Sequence, residues 1–285
     1  MKINHSIPSQ QPYLHILSTM VGGPKKLFYT GILPLERQPT VAIVGSRKPT
    51  SYGKEVTYQL SFDLAKHGII VISGLALGVD AIAHRAALDA GGITLAVVAN
   101  GVDVIYPATN KNLGEDIVTH GGAIVSEYEP GIAARDFQFL ARNRIVSGLA
   151  DAIIVTEAAI RSGTLSTVTH ALAQGRDVFV VPGNITSPMS AGCNALIKQG
   201  ANPITCAQDV LQVIAPDRLQ RQQTLALGDT PLQSAIISLI KEGIRDGDAL
   251  QSRTQVSSSE FSQALTLLEI SGTIRSLGGN QWTLR

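Results

Sequence analysis

The feature of this 285-residue chain that most constrains its fold is a regular alternation of short apolar runs with longer helix-like stretches. The apolar runs lie at 41–44, 69–73, 93–98, 123–126, 152–156 and 177–181. The stretches with helical periodicity lie between them, at 52–66, 80–90, 111–119, 139–150 and 164–174. Strands that are apolar throughout need cover on both faces, and strands joined through helices run parallel. The pattern therefore predicts an α/β fold.

The same alternation predicts a Rossmann-like, doubly wound and mainly parallel sheet over residues 41–215, with a closing helix at 207–214. Residues 1–40 have weak periodicity and read as an N-terminal arm, a reduced helical prelude. A polar stretch at 216–230 reads as a linker. Residues 231–285 hold three helix-like segments and two alternating runs around Gly278 and Gly279, which predicts a small C-terminal winged helix-turn-helix domain.

Composition says more about the compartment in which the protein is found than about its function. Lys and Arg number 23 against 22 acidic residues, so net charge gives no argument for a polyanionic partner. The two cysteines, Cys193 and Cys206, lack the spacing of a metal site, and neither a disulfide nor a metal is expected. No signal peptide and no apolar run of about 20 residues is seen, which predicts a cytoplasmic protein without a membrane partner.

The first strand leads into the segment V-A-I-V-G-S-R-K-P-T-S-Y-G at residues 41–53. Neither the dinucleotide pattern G-x-G-x-x-G nor the P-loop pattern is present, and Ser73-Gly74 follows the second strand where a dinucleotide site has an acid. No cofactor is therefore expected. Free amides and a helix dipole still predict an anion site here. Its candidate residues are Gly45, Ser46, Arg47, Lys48 and Lys54, and the alternative is that Lys48 and Lys54 only aid solubility.

Two further segments carry candidate ligand-binding groups. Residues 157–167, E-A-A-I-R-S-G-T-L-S-T, offer Arg161, Ser162, Gly163 and Thr164 at another helix N-terminus, and Glu157 either orients an arginine, binds a sugar hydroxyl or caps a helix. Residues 137–144, F-Q-F-L-A-R-N-R, place Arg142, Asn143 and Arg144 beside Phe137 and Phe139. Aromatic rings next to arginines suit single-stranded nucleic acid, although burial in the core is the alternative for the phenylalanines. Lys111 and Lys198 are further candidates for backbone contacts.

A nucleophilic triad of Ser162, His84 and Asp80 can be written down, but no G-x-S-x-G segment supports it. His84 follows Asp80 by four residues on one predicted helix, so local pairing explains both without catalysis.

Taken together, the motifs resemble the DNA-processing protein A (DprA/Smf) family over residues 24 to 205. The matching stretches are V-A-I-V-G-S-R, S-G-L-A-L-G-V-D-A-I-A-H, G-V-D-V-I-Y-P-A-T-N, S-E-Y-E-P-G, F-L-A-R-N-R-I-V-S-G-L, R-S-G-T-L-S-T, V-P-G-N and G-C-N-A-L-I-K-Q-G-A. Leu140 and Ala99 depart from the proline and glycine usual in that family.

This resemblance implies a non-enzymatic protein that binds single-stranded DNA, protects incoming strands and loads the RecA recombinase in natural transformation and homologous recombination. A homodimer is the expected assembly. The resemblance assigns DNA contacts to the arginine of G-S-R, to the R-S-G-T loop, to the lysine of Y-P-x-x-N-K and to the F-x-x-R-N-R segment. In this chain these are Arg47, Arg161, Ser162, Gly163, Thr164, Lys111, Phe139, Arg142, Asn143 and Arg144. Gly74 and Lys198 complete the predicted DNA-binding set.

Two other functions are possible alternatives for a chain with this predicted fold. A nucleotide phosphoribohydrolase of the same fold uses P-G-G-x-G-T-x-x-E, but Thr167 stands at the position of that glutamate here. A duplex-binding regulator would read DNA with the third helix of the winged domain. That segment, S-S-S-E-F-S-Q-A-L-T-L-L-E, has no Lys or Arg and two Glu, which is unfavourable in a major groove and favours a protein-interaction or auxiliary role.

Overall fold

The structure is a computed structural model that describes residues 2–223 and 230–284. The chain forms two compact units, Met1–Pro216 and Asp217–Arg285, which are described separately below. Residues 224–229, the later part of the predicted linker, lie outside the described residues. None of the helices in the described ranges is both long and apolar enough to cross a membrane.

The first unit is built on a nine-stranded sheet within its described residues. The strands are β1 Ile3–Ser6, β2 Leu27–Gly31, β3 Thr40–Val44, β4 Ile70–Ser73, β5 Thr94–Val97, β6 Ala123–Ser126, β7 Ala152–Val155, β8 Asp177–Val180 and β9 Asn202–Pro203. Their order is β1-β2-β6-β5-β4-β3-β7-β8-β9. Strands β3 to β9 pair in parallel, whereas β1 and β2 add an antiparallel edge. The mainly parallel sheet that the sequence predicts is confirmed.

Helices cover both faces of this sheet. They are α1 Ser51–Lys66, α2 Val79–Asp89, α3 Lys111–Thr119, α4 Asp136–Leu149, α5 Thr164–Ala173, α6 Ala191–Lys198 and α7 Ala207–Ile214, and α8 Pro216–Gln223 follows them. Side chains of β5 alternate between the two cores: Leu95 and Val97 belong to the core on the side of α4, whereas Ala96 belongs to the core on the side of α3. Both faces of the strand are buried, which is why Leu95, Ala96 and Val97 are all apolar.

The N-terminal segment differs from the arm expected at residues 1–40. It contributes β1 and β2 to the sheet, and Tyr13, Leu14 and Leu17 are fully buried in the larger core. The hydroxyl groups of Tyr13 and Thr40 lie 3.0 Å apart. Because β1 is short and only half-buried, its sequence carries little of the periodicity by which a strand is recognised.

The second unit has the winged helix-turn-helix form that the sequence predicts. Its helices and strands are α9 Pro231–Lys241, α10 Gly247–Thr254, α11 Ser258–Ile270, β10 Ile274–Gly278 and β11 Gln281–Leu284. Antiparallel β10 and β11 are joined by Gly279 and Asn280, both with positive φ (58° and 62°). That backbone geometry matches the twist of a tight hairpin, so the prediction of a turn at this glycine pair is confirmed within one residue.

Candidate nucleic-acid interface

The main candidate site lies where the order of the parallel strands reverses. Strands β3 and β7 are neighbours there, although β4, β5 and β6 separate them in the sequence. Ligands of doubly wound sheets bind in the crevice at the carboxyl ends of such a strand pair. A cleft of about 480 Å³ opens at this point. It is lined by Gly45, Ser46, Arg47, Phe139, Arg142, Asn143, Arg161, Ser162, Gly163 and Thr164, together with Asp80, Thr167 and a few apolar residues.

The loop after β3 is held tightly against the loop after β7. The Ser46 amide donates to the Glu157 carbonyl at 2.8 Å, and the Ser46 carbonyl accepts from the Val79 amide at 3.1 Å. At Gly45, an added Cβ would come within 2.8 Å of both the Val79 side chain and the Glu157 carbonyl. A glycine is therefore required for the two loops to approach so closely.

Hydroxyl groups fix the R-S-G-T loop at the start of α5. The Ser162 hydroxyl donates to Thr164 Oγ1 at 2.9 Å, and that hydroxyl in turn donates to the Gly45 carbonyl at 3.0 Å. Thr164 is buried, whereas Arg161 and Gly163 are exposed at the rim of the cleft. Ser162 and Thr164 thus shape the loop, and Arg161 presents its charge to solvent.

Arg47 and Phe139 form a second part of the rim. The Arg47 guanidinium lies over the Phe139 ring, 5.3 Å from its centroid, in a cation–π geometry. Phe139 is partly exposed, so the alternative that it is a core residue does not hold in this structure. Within residues 2–223 and 230–284, neither Arg47 nor Arg161 forms an ion pair with an acidic side chain. Two exposed cations without acidic partners therefore border the cleft.

Arg142 is also at the cleft, but its guanidinium points into the protein. The residue is only 5% exposed. Its Nη1 donates to the carbonyls of Gly74, at 2.7 Å, and Val97. An added Cβ on Gly74 would overlap this guanidinium, so the glycine makes room for it. Arg142 thus forms the floor of the cleft with Gly74 packed against its guanidinium, and the predicted contact of both residues with DNA stays a prediction.

The buried carboxyl of Asp80 lies at the same floor. Its Oδ2 accepts hydrogen bonds from the amides of Gly74 at 3.0 Å and Ala76 at 3.3 Å. Burial raises the pKa of Asp80, while the nearby Arg142 charge opposes that shift. Burial likewise lowers the pKa of Arg142, against the opposing effect of Asp80. The two opposite charges compensate each other beneath the rim.

Arg144 lies outside the cleft lining, two residues along α4 from Arg142. Its Nη2 donates to both carboxylate oxygens of Glu127, at 2.7 and 2.6 Å. Asn143, between the two arginines, does line the cleft, and its Oδ1 accepts from Arg142 Nε at 3.3 Å. Of the predicted R-N-R cluster, therefore, one arginine is buried and the other is paired with an acid.

The N-terminus of α1 is occupied by an internal anion. The buried carboxylate of Glu157 accepts from the Thr50 amide at 2.8 Å and from the Thr50 hydroxyl at 2.7 Å. Of the three roles that its sequence leaves open, Glu157 therefore takes the structural one, but it does so by binding the capping residue Thr50, whose own hydroxyl accepts from the Gly53 amide at 3.2 Å. Lys48 and Lys54 are exposed beside this helix end and do not line the cleft. A carboxylate of the protein thus lies against the positive end of the helix dipole that the sequence predicts to bind a ligand.

The remaining predicted contacts are not brought to the cleft. Lys111 lines a different cavity, of about 490 Å³, and its Nζ lies 4.0 Å from Glu115. Lys198 is exposed in the last turn of α6, where a cation also complements the helix dipole. For both lysines, the DNA contact stays a prediction.

The triad considered from the sequence is not assembled. Ser162 bonds to Thr164, whereas the ring of His84 is fully buried with Nδ1 2.7 Å from Thr94 Oγ1. Burial lowers the pKa of His84 to about 3, which leaves it neutral at physiological pH. Asp80 bonds to backbone amides, so the expected pairing of Asp80 with His84 is not what holds either residue.

One aromatic residue beside the cleft was not singled out from the sequence. Tyr106 is 50% exposed, and its ring lies 5.9 Å from that of Phe139, tilted by 44°. The signal was present in the segment Y-P-A-T-N-K, where an aromatic residue precedes a proline in a loop after a strand. Its closeness to Phe139 depends on tertiary structure alone.

Comparison with known proteins places this geometry in a family. The family model for DNA recombination-mediator protein A matches residues 4–215, and that for the DprA winged helix domain matches residues 220–280. DNA processing protein DprA of Streptococcus pneumoniae is 45% identical over 195 residues, which cover 68% of each chain. Protein Smf of Escherichia coli is 34% identical over 296 residues, covering 99% of this chain and 78% of that protein.

A solved structure of DNA processing protein A from Helicobacter pylori, described for its single-stranded DNA binding mode, matches with a TM-score of 0.66 at 34% identity. The match covers 75% of this chain and 97% of that one. Family models thus account for both units, and the fold agrees with that of a solved member. This chain belongs to the DNA-processing protein A (DprA/Smf) family.

Proposed function

We propose that the protein binds single-stranded DNA along the cleft at the reversal point of the sheet, without cleaving it. The observation that carries this proposal is the pair of exposed arginines, Arg47 and Arg161, on opposite loops of one cleft and without acidic partners among the described residues. Phosphate groups bind such cations, and bases stack on aromatic side chains such as Phe139. The relative described for single-stranded DNA binding supports the choice of ligand.

Among the described residues that line the cleft, none offers an accessible acidic side chain of the kind that a phosphoribohydrolase needs. Thr167 lines the cleft at the position where those enzymes have glutamate. The acid among the lining residues is Asp80, whose buried carboxyl already accepts two backbone amides. A general acid or base has to reach the substrate, and this group is turned toward the protein.

Within this proposal, the bound strand is protected and passed to the RecA recombinase in natural transformation and homologous recombination, and the protein acts as a homodimer. These steps follow from the family resemblance rather than from a surface of this chain. RecA nucleation on DNA coated with single-strand binding protein tests the transfer step. We expect the lag before RecA ATP hydrolysis to shorten when this protein is added. An unchanged lag would remove this step and leave DNA binding standing.

The central experiment measures binding of the full chain to oligo-dT and to duplex DNA by fluorescence anisotropy over a range of salt concentrations. Arg47→Ala and Arg161→Ala should each weaken oligo-dT binding and reduce the slope of log affinity against log salt by about 0.7, the value for one phosphate contact in a single strand. Lys66→Ala is the matched control, because Lys66 is an exposed cation in the last turn of α1, at the opposite end of that helix from the cleft. Unchanged slopes in both arginine variants would refute the proposed site.

A further inference from the structure

We propose that Tyr106 is a second base-stacking residue, which takes the nucleotide next to the one held at Phe139 and extends the bound strand beyond the cleft. This inference rests on the proposed function. Tyr106 lies outside the cleft lining, yet its ring is 5.9 Å from that of Phe139, and half of its surface is exposed.

Phe139 has Arg47 and Tyr106 as neighbours, and of these three groups only Tyr106 lies outside the cleft lining. The Arg47 guanidinium lies over the Phe139 ring at 5.3 Å, and the Tyr106 ring follows at a tilt of 44°. Neighbouring bases of a single strand are ~3.4 Å apart when stacked and farther apart when the strand is stretched. The two rings are therefore close enough for adjacent nucleotides, and their tilt suits bases that are unstacked from each other. Stacking of this kind is tolerant of sequence because every base presents a π-face.

The loop that carries Tyr106 is held at both ends. On one side, Asn100 Nδ2 donates to the Val104 carbonyl at 2.6 Å, and the Gly101 amide donates to the Ile132 carbonyl at 2.9 Å. On the other, the buried Asn110 donates through Nδ2 to the Leu75 carbonyl at 2.9 Å. An exposed ring on an anchored loop loses little conformational freedom when a base stacks on it, which favours binding.

The charge beside these rings favours a polyanion over an apolar peptide as the ligand. The Arg47 guanidinium lies over Phe139, and Lys111, which is exposed, follows Tyr106 by five residues in the sequence.

The test compares Tyr106→Leu, Tyr106→Phe and, as a matched control, Val104→Ala, since Val104 is 59% exposed on the same loop. In the full chain, Tyr106→Leu should weaken oligo-dT binding by about 5- to 160-fold, the range measured for loss of one stacked base. The salt slope should not change, because the ring contacts no phosphate. Tyr106→Phe and Val104→Ala should bind oligo-dT as the wild type does.

A fluorescent variant gives an independent measurement. Tyr106→Trp should lose emission when oligo-dT is added, because stacking on a base quenches indole, whereas the wild type with Trp282 alone should not. Wild-type affinity in Tyr106→Leu, or unquenched emission in Tyr106→Trp, would overturn this inference and leave the proposed function intact. Failure of the wild type itself to bind oligo-dT would instead refute the proposed function.

Discussion

Replacing Arg142 tests whether this arginine is part of the protein floor or a direct ligand of DNA. Its guanidinium donates two hydrogen bonds to the buried carbonyls of Gly74 and Val97 and lies near the buried Asp80. Hydrogen bonds to charged groups contribute about 1.5–3 kcal/mol each, and loss of one partner of a buried charge pair costs about 3–5 kcal/mol. These terms overlap, so we expect Arg142→Met to lower the free energy of unfolding of the first unit by about 3–5 kcal/mol.

The assay is urea unfolding of the full chain, followed by circular dichroism at 222 nm and by tryptophan fluorescence. The chain has one tryptophan, Trp282, which lies in the second unit and reports on that unit separately. We expect the Trp282 transition to stay in place. Arg161→Met makes the same chemical change at an exposed arginine, and its unfolding free energy should stay within about 0.5 kcal/mol of the wild type while oligo-dT binding weakens. The reasoning is refuted if Arg142→Met unfolds like the wild type but loses DNA affinity.

Two further predictions concern buried and capping groups. The Thr94 hydroxyl donates to the Val71 carbonyl, so His84 Nδ1 must be the donor in their bond, and the pKa of His84 falls to about 3 from its usual 6.5. Below about pH 6.5, His84 therefore binds a proton in the unfolded chain but not in the folded chain. The free energy of unfolding should then fall by about 1.4 kcal/mol per pH unit between pH 6 and 4. This pH dependence should vanish in His84→Asn, which retains a hydrogen-bond donor, and should persist in His120→Asn, a control at an exposed site. If the unfolding free energies of the wild type and His84→Asn change in parallel with pH, the prediction is wrong. Separately, Ser257 accepts from the Glu260 amide at the start of α11, and Ser257→Ala should destabilise the second unit by about 1 kcal/mol, read from Trp282, with oligo-dT affinity as the internal check that the first unit is intact.

The sequence predicts where the strands and helices of this fold lie in the chain, but it does not predict which strands pair with each other. Apolar runs buried on two faces identify β3 to β8, and helical periodicity identifies α1 to α5. Nothing in those patterns states that β3 pairs with β7, because each parallel strand presents the same apolar surface to any neighbour. The general rule about carboxyl ends of strands still places the site on the correct edge of the sheet. Only the strand order reveals which two loops face each other across the cleft.

The fate of the arginines in F-L-A-R-N-R was partly readable from the sequence. Residues two apart on an α-helix are related by a rotation of about 200° around its axis, so their side chains point to nearly opposite faces. Arg142 and Arg144 therefore cannot both face one cleft from α4. The sequence does not indicate which of the two is buried, since that depends on Gly74 and Glu127 from other loops. Arg161, in contrast, precedes a helix on a glycine-bearing loop, and such a position is exposed in most folds.

The partners of each cation decide how this site can recognise a strand. Glu157 lies against the N-terminus of α1, and Asp80 compensates the charge of Arg142, so a carboxylate already opposes the positive charge both at the helix end and at the floor. The charge that remains for a ligand is on flexible, exposed side chains at the rim, Arg47 and Arg161. Such contacts follow a backbone whatever its bases, and they weaken with salt. Within the proposed function, selection of single strands over duplex would then come from the aromatic groups, because only unpaired bases present a free face to Phe139 and Tyr106. Removing the rings of Phe139 and Tyr106 should therefore reduce the ratio of single-strand affinity to duplex affinity. Removing Arg47 and Arg161 should instead lower the affinity for both kinds of DNA by a similar factor.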